Sequence, residues 1–195
     1  MKFLWFDTET TGLDPTLHDI IQISGIIETN SSREDFNIKI APTRYDTISQ
    51  KAIRVHGITI KEMRTYQPAV DGYKEIKTLF NKYIDCYNPE DKFIPCGQNI
   101  DFDLRMLNKL FKYNDDQYLF SYIIGGHFDL KIMAVLYEMA ERRKIFKNYK
   151  LSTICEEFKI PLAAHDAYND IHATRKCCLR IWNRINNNTG RDING

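Results

Sequence analysis

Apolar residues come as short dense blocks early in the chain and at helical spacing later. "KFLWF" (2–6) is a continuous apolar run of strand length and predicts a buried strand. "HDIIQISGIIE" (18–28) is rich in β-branched residues and predicts a second. "DFNIKIAP" (35–42) alternates Phe36, Ile38 and Ile40 and predicts a third, stopped by Pro42. The turn Asn30-Ser31-Ser32 makes the second and third strands an antiparallel hairpin. Residues 68–84 then switch to helical spacing at Val70, Tyr73, Ile76, Leu79, Phe80 and Tyr83, and Asn88-Pro89 breaks the pattern. "KFIPCG" (92–97) predicts a short fourth strand. "IDFDLRMLNKLF" (100–111) predicts a helix with Leu104, Leu107, Leu110 and Phe111 on one stripe. "HFDL" (127–130) is the best place for a fifth strand. Helices are predicted over 129–140, over 151–158 with Ser152 as N-cap and Pro161 beyond its end, and from about Asp166 towards Trp182. The last would turn Ile171, Thr174, Cys178 and Ile181 inward.

Strands first, then strand and helices, predict one mixed α/β layer structure over residues 1–185, with a polar tail over 186–195. The sequence has 195 residues, with 43% hydrophobic and 27% charged, as in ordinary globular domains. No apolar run approaches the roughly 20 residues of a membrane helix, so no membrane partner is expected. The N-terminal apolar stretch is interrupted by Asp7 and is no secretory signal. Five scattered cysteines without a C-x-x-C pair read as reduced thiols in the cytoplasm, not as a disulfide framework or zinc site. Net charge is +1, but unevenly placed: residues 1–130 hold 15 basic and 19 acidic side chains, residues 131–195 hold 12 and 7. "ERRKIFKNYK" (141–150) carries Arg142, Arg143, Lys144, Lys147 and Lys150. Such a run is either a solvated helix end and loop or a short phosphate-binding patch.

Three acidic segments change this picture. Asp7 and Glu9 follow the first apolar run two residues apart, so they share one face of an extended chain. Taken alone, that is also what a strand end meeting water produces. Asp103 falls in the first turn of a helix directly after a short strand. An acid there balances the helix dipole, but the carboxyl end of a strand in an α/β sheet is also where sites form. His165 and Asp170 are five apart and converge only if His165 lies in the loop before a helix capped by Asp166.

In order and spacing these segments resemble the DnaQ-like 3′–5′ exonucleases, the DEDDh branch of the ribonuclease-H-like superfamily. "FDTETTGL" resembles that family's first motif, "NIDFD" (99–103) its second, and "HDAYND" (165–170) its third. "VHGIT" (55–59) resembles a further family segment, and the likeness spans roughly residues 2–182. The resemblance implies a central mixed five-stranded sheet, the first three strands antiparallel neighbours, the fourth and fifth parallel to the first, with helices on both faces. It implies that Asp7, Glu9, Asp103 and Asp170 bind two divalent ions, Mg²⁺ or Mn²⁺, since four packed carboxylates cannot all stay ionised without cations. Two ions about 3.5–4 Å apart suit in-line phosphodiester hydrolysis. By the same resemblance Asp7 bridges both ions, Glu9 and Asp170 serve the nucleophile side, and Asp103 serves the other. His165, as general base, must be neutral, so activity should fall below its free pKa of about 6.5.

The implied reaction releases nucleoside 5′-monophosphates from the 3′ end of single-stranded nucleic acid. Thr10 (backbone) and Leu13 (side chain) match family positions that line the terminal-nucleotide pocket. Phe102 and His56 are base or sugar contacts, unless Phe102 is core and His56 a turn residue before Gly57. Asn99 either holds its loop or touches a phosphate. DNA is the favoured substrate and a DNA polymerase a candidate partner. The competing readings are an RNA-trimming enzyme of the same family, a polymerase-accessory binding module without catalysis, and a two-metal phosphatase for small molecules.

Overall fold

The protein, described from a computed structural model over residues 1–163 and 166–189, is built on a sheet whose central strand carries the first acidic pair. The strands are β1 (Phe3–Thr10), β2 (Ile20–Glu28), β3 (Arg33–Lys39), β4 (Ile94–Gly97) and β5 (Phe128–Asp129). The helices are α1 (Gln50–His56), α2 (Ile60–Met63), α3 (Ala69–Tyr83), α4 (Ile100–Tyr113), α5 (Leu130–Ala140), α6 (Leu151–Phe158) and α7 (Ala167–Thr189). Strand order is β3-β2-β1-β4-β5. β2 pairs antiparallel with β1 and β3, whereas β1–β4 and β4–β5 are parallel. This is the expected mixed sheet, and the fifth strand falls within "HFDL".

β1 is longer than its apolar run. Pairing with β2 continues through Asp7↔Ser24 and Glu9↔Gln22, so both carboxylates lie inside the strand. The register shifts between Glu9 and Thr10. Such an irregularity bends a strand and re-aims its side chains.

The alternation of β1 divides the molecule into two cores. Leu4 and Phe6 join Ile23, Ile27, Ile76, Phe80, Leu107 and Phe111 beneath α3 and α4. Trp5 joins Ile26, Cys96, Tyr137, Ile154 and Ile171 beneath α5, α6 and α7. Each fully buried Phe, Ile or Leu contributes roughly 1.5–3 kcal/mol, so both helical layers are held firmly. Gly25 permits close packing inside the sheet. A Cβ there would stand 2.4 Å from the Trp5 carbonyl oxygen and 2.4 Å from the Phe36 ring.

Several expectations need correcting. Val70 is exposed, and Ala69 and Gly72 face the core of α3 instead. Ser152 is not an N-cap: α6 begins at Leu151, with Lys150 at the cap position. Asn148 braces this start from outside the helix, accepting from Lys150 N–H at 3.0 Å and from the Thr153 hydroxyl at 2.8 Å. α7 runs past Trp182 to Thr189, so the first four tail residues are helical. The two short helices α1 and α2 were not foreseen, because α1 buries no residue fully and α2 is four residues long. For α2 a signal existed in "TIKE": Thr59 and Glu62 form a reciprocal capping box.

The basic stretch is anchored from within. Glu138 on α5 is buried and accepts from Ile145 N–H and Phe146 N–H, both at 2.8 Å, and from the Tyr149 hydroxyl at 2.6 Å. Burial alone would raise its pKa. These bonds and Lys144 outweigh it and hold the carboxyl at about 2. All five cysteines are thiols. Among the described residues no helix is long and apolar enough to cross a membrane.

Gly25→Ala should destabilise the domain by about 1–3 kcal/mol, since a backbone oxygen cannot move aside cheaply. Gly126→Ala, whose Cβ would meet nothing within 4 Å, should stay within about 0.5 kcal/mol of the parent. Urea unfolding of both variants measures the difference, and equal midpoints would contradict the packing argument.

Candidate active site

Three elements bring carboxylates to the carboxyl-terminal end of β1. Asp7 and Glu9 leave the strand with Trp5's parity, towards the α7 face. Asp170 lies in the first turn of α7, whose packing against β1 and β2 carries it there. Asp166 sits one residue before that helix. Its Oδ1 accepts from Tyr168 N–H at 3.3 Å and from Gln22 Nε2 at 3.0 Å, which caps the helix and ties it to β2. Asp103 arrives from the other face, in the first turn of α4. Its Oδ1 accepts both the Thr8 N–H at 3.0 Å and the Thr8 hydroxyl at 2.6 Å.

The four carboxylates feel one another. Burial pushes the Asp7 carboxyl well above the ordinary range, and the charges of Asp103, Glu9, Asp170 and Asp166 push it further. Burial, then Asp170, Asp166 and Asp103, raises Glu9 to about 7. Burial raises Asp103 to about 7 against the pull of its Thr8 bonds, with Asp129 adding to the rise. A cluster this unfavourable to its own ionised form calls for cations. All its donors are carboxylate oxygens, the ligand type of Mg²⁺ and Mn²⁺. Among the described residues no group of three or more His, Cys, Asp or Glu is arranged as a ready metal shell. Mg²⁺ does not require one. It binds through one or two carboxylates and completes its shell with water and substrate phosphate. The residues therefore fit such ions.

A cleft of about 470 Å³ opens beside Glu9, on the α4 side of β1. Thr10, Leu13, His56 and Phe102 all line it, with Lys51 and Ser49 from the start of α1. The Ser49 N–H donates to the Thr11 carbonyl at 2.8 Å, which hangs α1 over the end of β1. Phe102 packs partly on the core and also lines the cleft. His56 ends α1, and Gly57, at φ 74°, turns the chain as only glycine does freely. The His56 Nδ1 accepts from Ile58 N–H at 3.0 Å. Burial lowers its pKa, against the nearby Thr10 carbonyl, so the ring is neutral near pH 7 with its proton on Nε2. The volume and mixed lining suit a small organic group such as a nucleotide.

Asn99 stands apart from this cleft. It is exposed, holds a left-handed backbone at φ 61°, and accepts from Lys131 Nζ at 2.8 Å. Its observed side-chain contact is with α5. His165 lies outside the described residues.

Two residues here escaped the sequence reading. Thr8 fixes Asp103 across 95 positions, a pairing with no local signal. Asp129, buried at the end of β5, accepts from Ile100 N–H at 3.2 Å and Lys131 N–H at 2.8 Å, clasping the starts of α4 and α5. An acid between an apolar strand and a helical run was the available hint.

A mixed sheet in this order, with carboxylates gathered at the end of its central strand, defines a ribonuclease-H-like nuclease domain. The chain belongs to the RNase T exonuclease family, whose model matches residues 4–177. A PolC-type DNA polymerase III of Thermotoga maritima is 26% identical over 181 residues, covering 92% of this chain and 12% of the polymerase. The 3′–5′ exonuclease DinG of Staphylococcus aureus is 29% identical over 187 residues, covering 92% of this chain and 18% of DinG. Among solved structures, E. coli Exonuclease I in complex with a dA16 oligonucleotide superposes with a TM-score of 0.75 at 22% identity, over 94% of this chain and 42% of that one. The chain thus spans less than half the length of each of these relatives.

Raised carboxylate pKa values mean that the folded protein retains protons which the unfolded chain gives up. Metal-free stability should therefore fall as pH rises between the ordinary Glu value of 4.5 and about 7. Asp7→Asn should raise the metal-free Tm at pH 7.5, and millimolar Mn²⁺ should raise that of the parent far more than that of the variant. Differential scanning fluorimetry across pH, with EDTA or Mn²⁺, reads both. A metal-free Tm that climbs through this window would contradict the shifts.

Proposed function

We propose that this domain is a metal-dependent 3′–5′ exonuclease that hydrolyses single-stranded DNA from its 3′ end and releases nucleoside 5′-monophosphates. The observation that carries the reading is the buried, mutually repelling carboxylate set beside a nucleotide-sized cleft. The preference for DNA rests on the relatives, which include a DNA polymerase and an exonuclease solved with a DNA oligonucleotide. By the same likeness, a DNA polymerase is a candidate partner.

Asp7, Glu9, Asp103 and Asp170 would hold two divalent ions. When bound, such ions neutralise the scissile phosphate, lower the pKa of water and stabilise the leaving 3′ oxygen. The protein's own residues do the rest. Thr8 occupies one oxygen of Asp103 and leaves the other for the site. Thr10 and Leu13 bracket the terminal nucleotide, with Phe102 and His56 against its base or sugar. The neutral His56 adds a hydrogen-bond donor without adding charge. His165 accepts the proton of the attacking water, which requires the neutral imidazole.

A gel assay with 5′-labelled DNA and RNA oligonucleotides tests this. A one-nucleotide ladder should form with Mg²⁺ or Mn²⁺, vanish in EDTA and vanish in Asp7→Ala, with DNA shortened faster. A faster RNA ladder would reassign the substrate. Oligonucleotide binding without cleavage would favour the accessory-module reading. His165→Ala should lower the rate by roughly 10²–10⁴-fold and abolish the acid limb near pH 6.5. An unchanged pH–rate profile in that variant would remove His165 from the base role.

A further inference from the structure

The basic stretch between α5 and α6 has no part in the chemistry described above. The fold holds its Tyr149–Lys150 end beside the site, whereas Arg142 and Arg143 follow the far end of α5, about 16 Å along the helix from Asp129. Glu138 fixes its backbone through the Ile145 and Phe146 N–H groups. Gln98, the first residue after β4, donates from Nε2 to the Tyr149 carbonyl at 2.8 Å. That bond joins the basic loop to the segment which leads directly into Asp103. β4 runs parallel to β1, so Gln98 and Glu9 occupy the same end of the sheet. The cleft lies on the α4 side of that end. The loop packs with Ile145 and Tyr149 on the opposite, α5–α7 side. The carboxylates stand at the rim between them.

The loop's cations fall into two sets. Lys144 pairs with Glu138 and Lys147 with Glu156. Arg142, Arg143 and Lys150 are exposed and have no ion pair among the described residues. Arg142 adopts a left-handed backbone at φ 52°, and the Arg143 N–H donates to the Glu138 carbonyl at 3.2 Å, so the turn presenting them is fixed. Lys131, at the site end of α5, places a further cation beside Asn99. Its Nζ rests on an amide oxygen, which leaves its charge uncompensated. A chain whose last nucleotide fills the cleft and whose last phosphodiester meets the carboxylates must leave the rim on this side or into solvent. Unpaired cations on a fixed loop supply what a phosphate backbone needs.

We propose that Arg142, Arg143 and Lys150 form a subsite for the phosphates of the single strand upstream of the scissile bond, an inference that rests on the exonuclease reading above. The subsite would make affinity grow with strand length and depend on salt, without reading base sequence.

The test uses the whole chain in EDTA, where strands bind uncut, with labelled oligothymidylates of two to ten nucleotides followed by fluorescence anisotropy. The parent should gain affinity steadily with length. Arg142→Gln/Arg143→Gln/Lys150→Gln should lose roughly tenfold or more on the longest strand and keep little length dependence. Its slope of log affinity against log salt should be shallower by about 2, at about 0.7 for each phosphate that the variant no longer neutralises. Lys74→Gln/Lys112→Gln, on the α3–α4 side, lowers the net charge without touching the loop and should leave the slope as in the parent. Equal slopes and equal length dependence in the triple variant and the parent would overturn the subsite. So would an equal loss in the Lys74/Lys112 variant, which would reduce the effect to net charge. Turnover of thymidine 5′-monophosphate p-nitrophenyl ester by the parent with Mn²⁺ reports separately on the activity. Its absence would overturn the exonuclease reading, and the inference with it, while unchanged binding in the triple variant would overturn the inference alone.

Discussion

The site depends on one buried carboxylate gripped from across the sheet. Asp103 takes both the N–H and the hydroxyl of Thr8, and this pair of bonds locks the start of α4 to the end of β1. Without it, a carboxyl raised to about 7 by burial would have little reason to remain in the interior. With it, the acids of β1 and α4 stand close enough to repel. Charge-assisted bonds are the strong class of hydrogen bond, and a buried one left half-made costs several kcal/mol. The same contact that stabilises the α4 layer therefore creates an electrostatic problem that bound cations would relieve.

Other buried carboxylates serve the architecture in a different way. Asp129 clasps the starts of α4 and α5, and Glu138 folds the basic loop over the end of α5. Their environments differ from that of the site acids in one respect. Hydrogen-bond donors surround Glu138, and its pKa falls to about 2. Like charges surround Glu9, and its pKa rises to about 7. Burial is common to both acids; the direction of the shift records whether donors or like charges surround them.

The strands and long helices were legible because their periods are local. β2 follows from its density of β-branched residues, β3 from alternation and α4 from the spacing of Leu107, Leu110 and Phe111. The elements that escaped lack that signature. α1 buries no side chain fully, and its place is set by the Ser49–Thr11 bond. The length of β1 beyond Phe6 came from pairing with β2, which carries polar residues into the strand. The helical part of the tail is equally invisible in "RINNNT", where polarity hides a continuation of α7.

For the candidate site, the sequence by itself determined which acids, in which order and on which kinds of element, could be brought together. Residue type and spacing along one strand or one helix turn are local facts, and motif order multiplies them. Only the tertiary structure decided what surrounds those acids. That Thr8 holds Asp103, that α1 roofs the cleft with His56, that Asn99 turns to Lys131 and that the basic loop is tied to Gln98 all depend on contacts between distant residues. Such pairings are chosen by the packing of two cores against opposite faces of one sheet, and no local pattern encodes them.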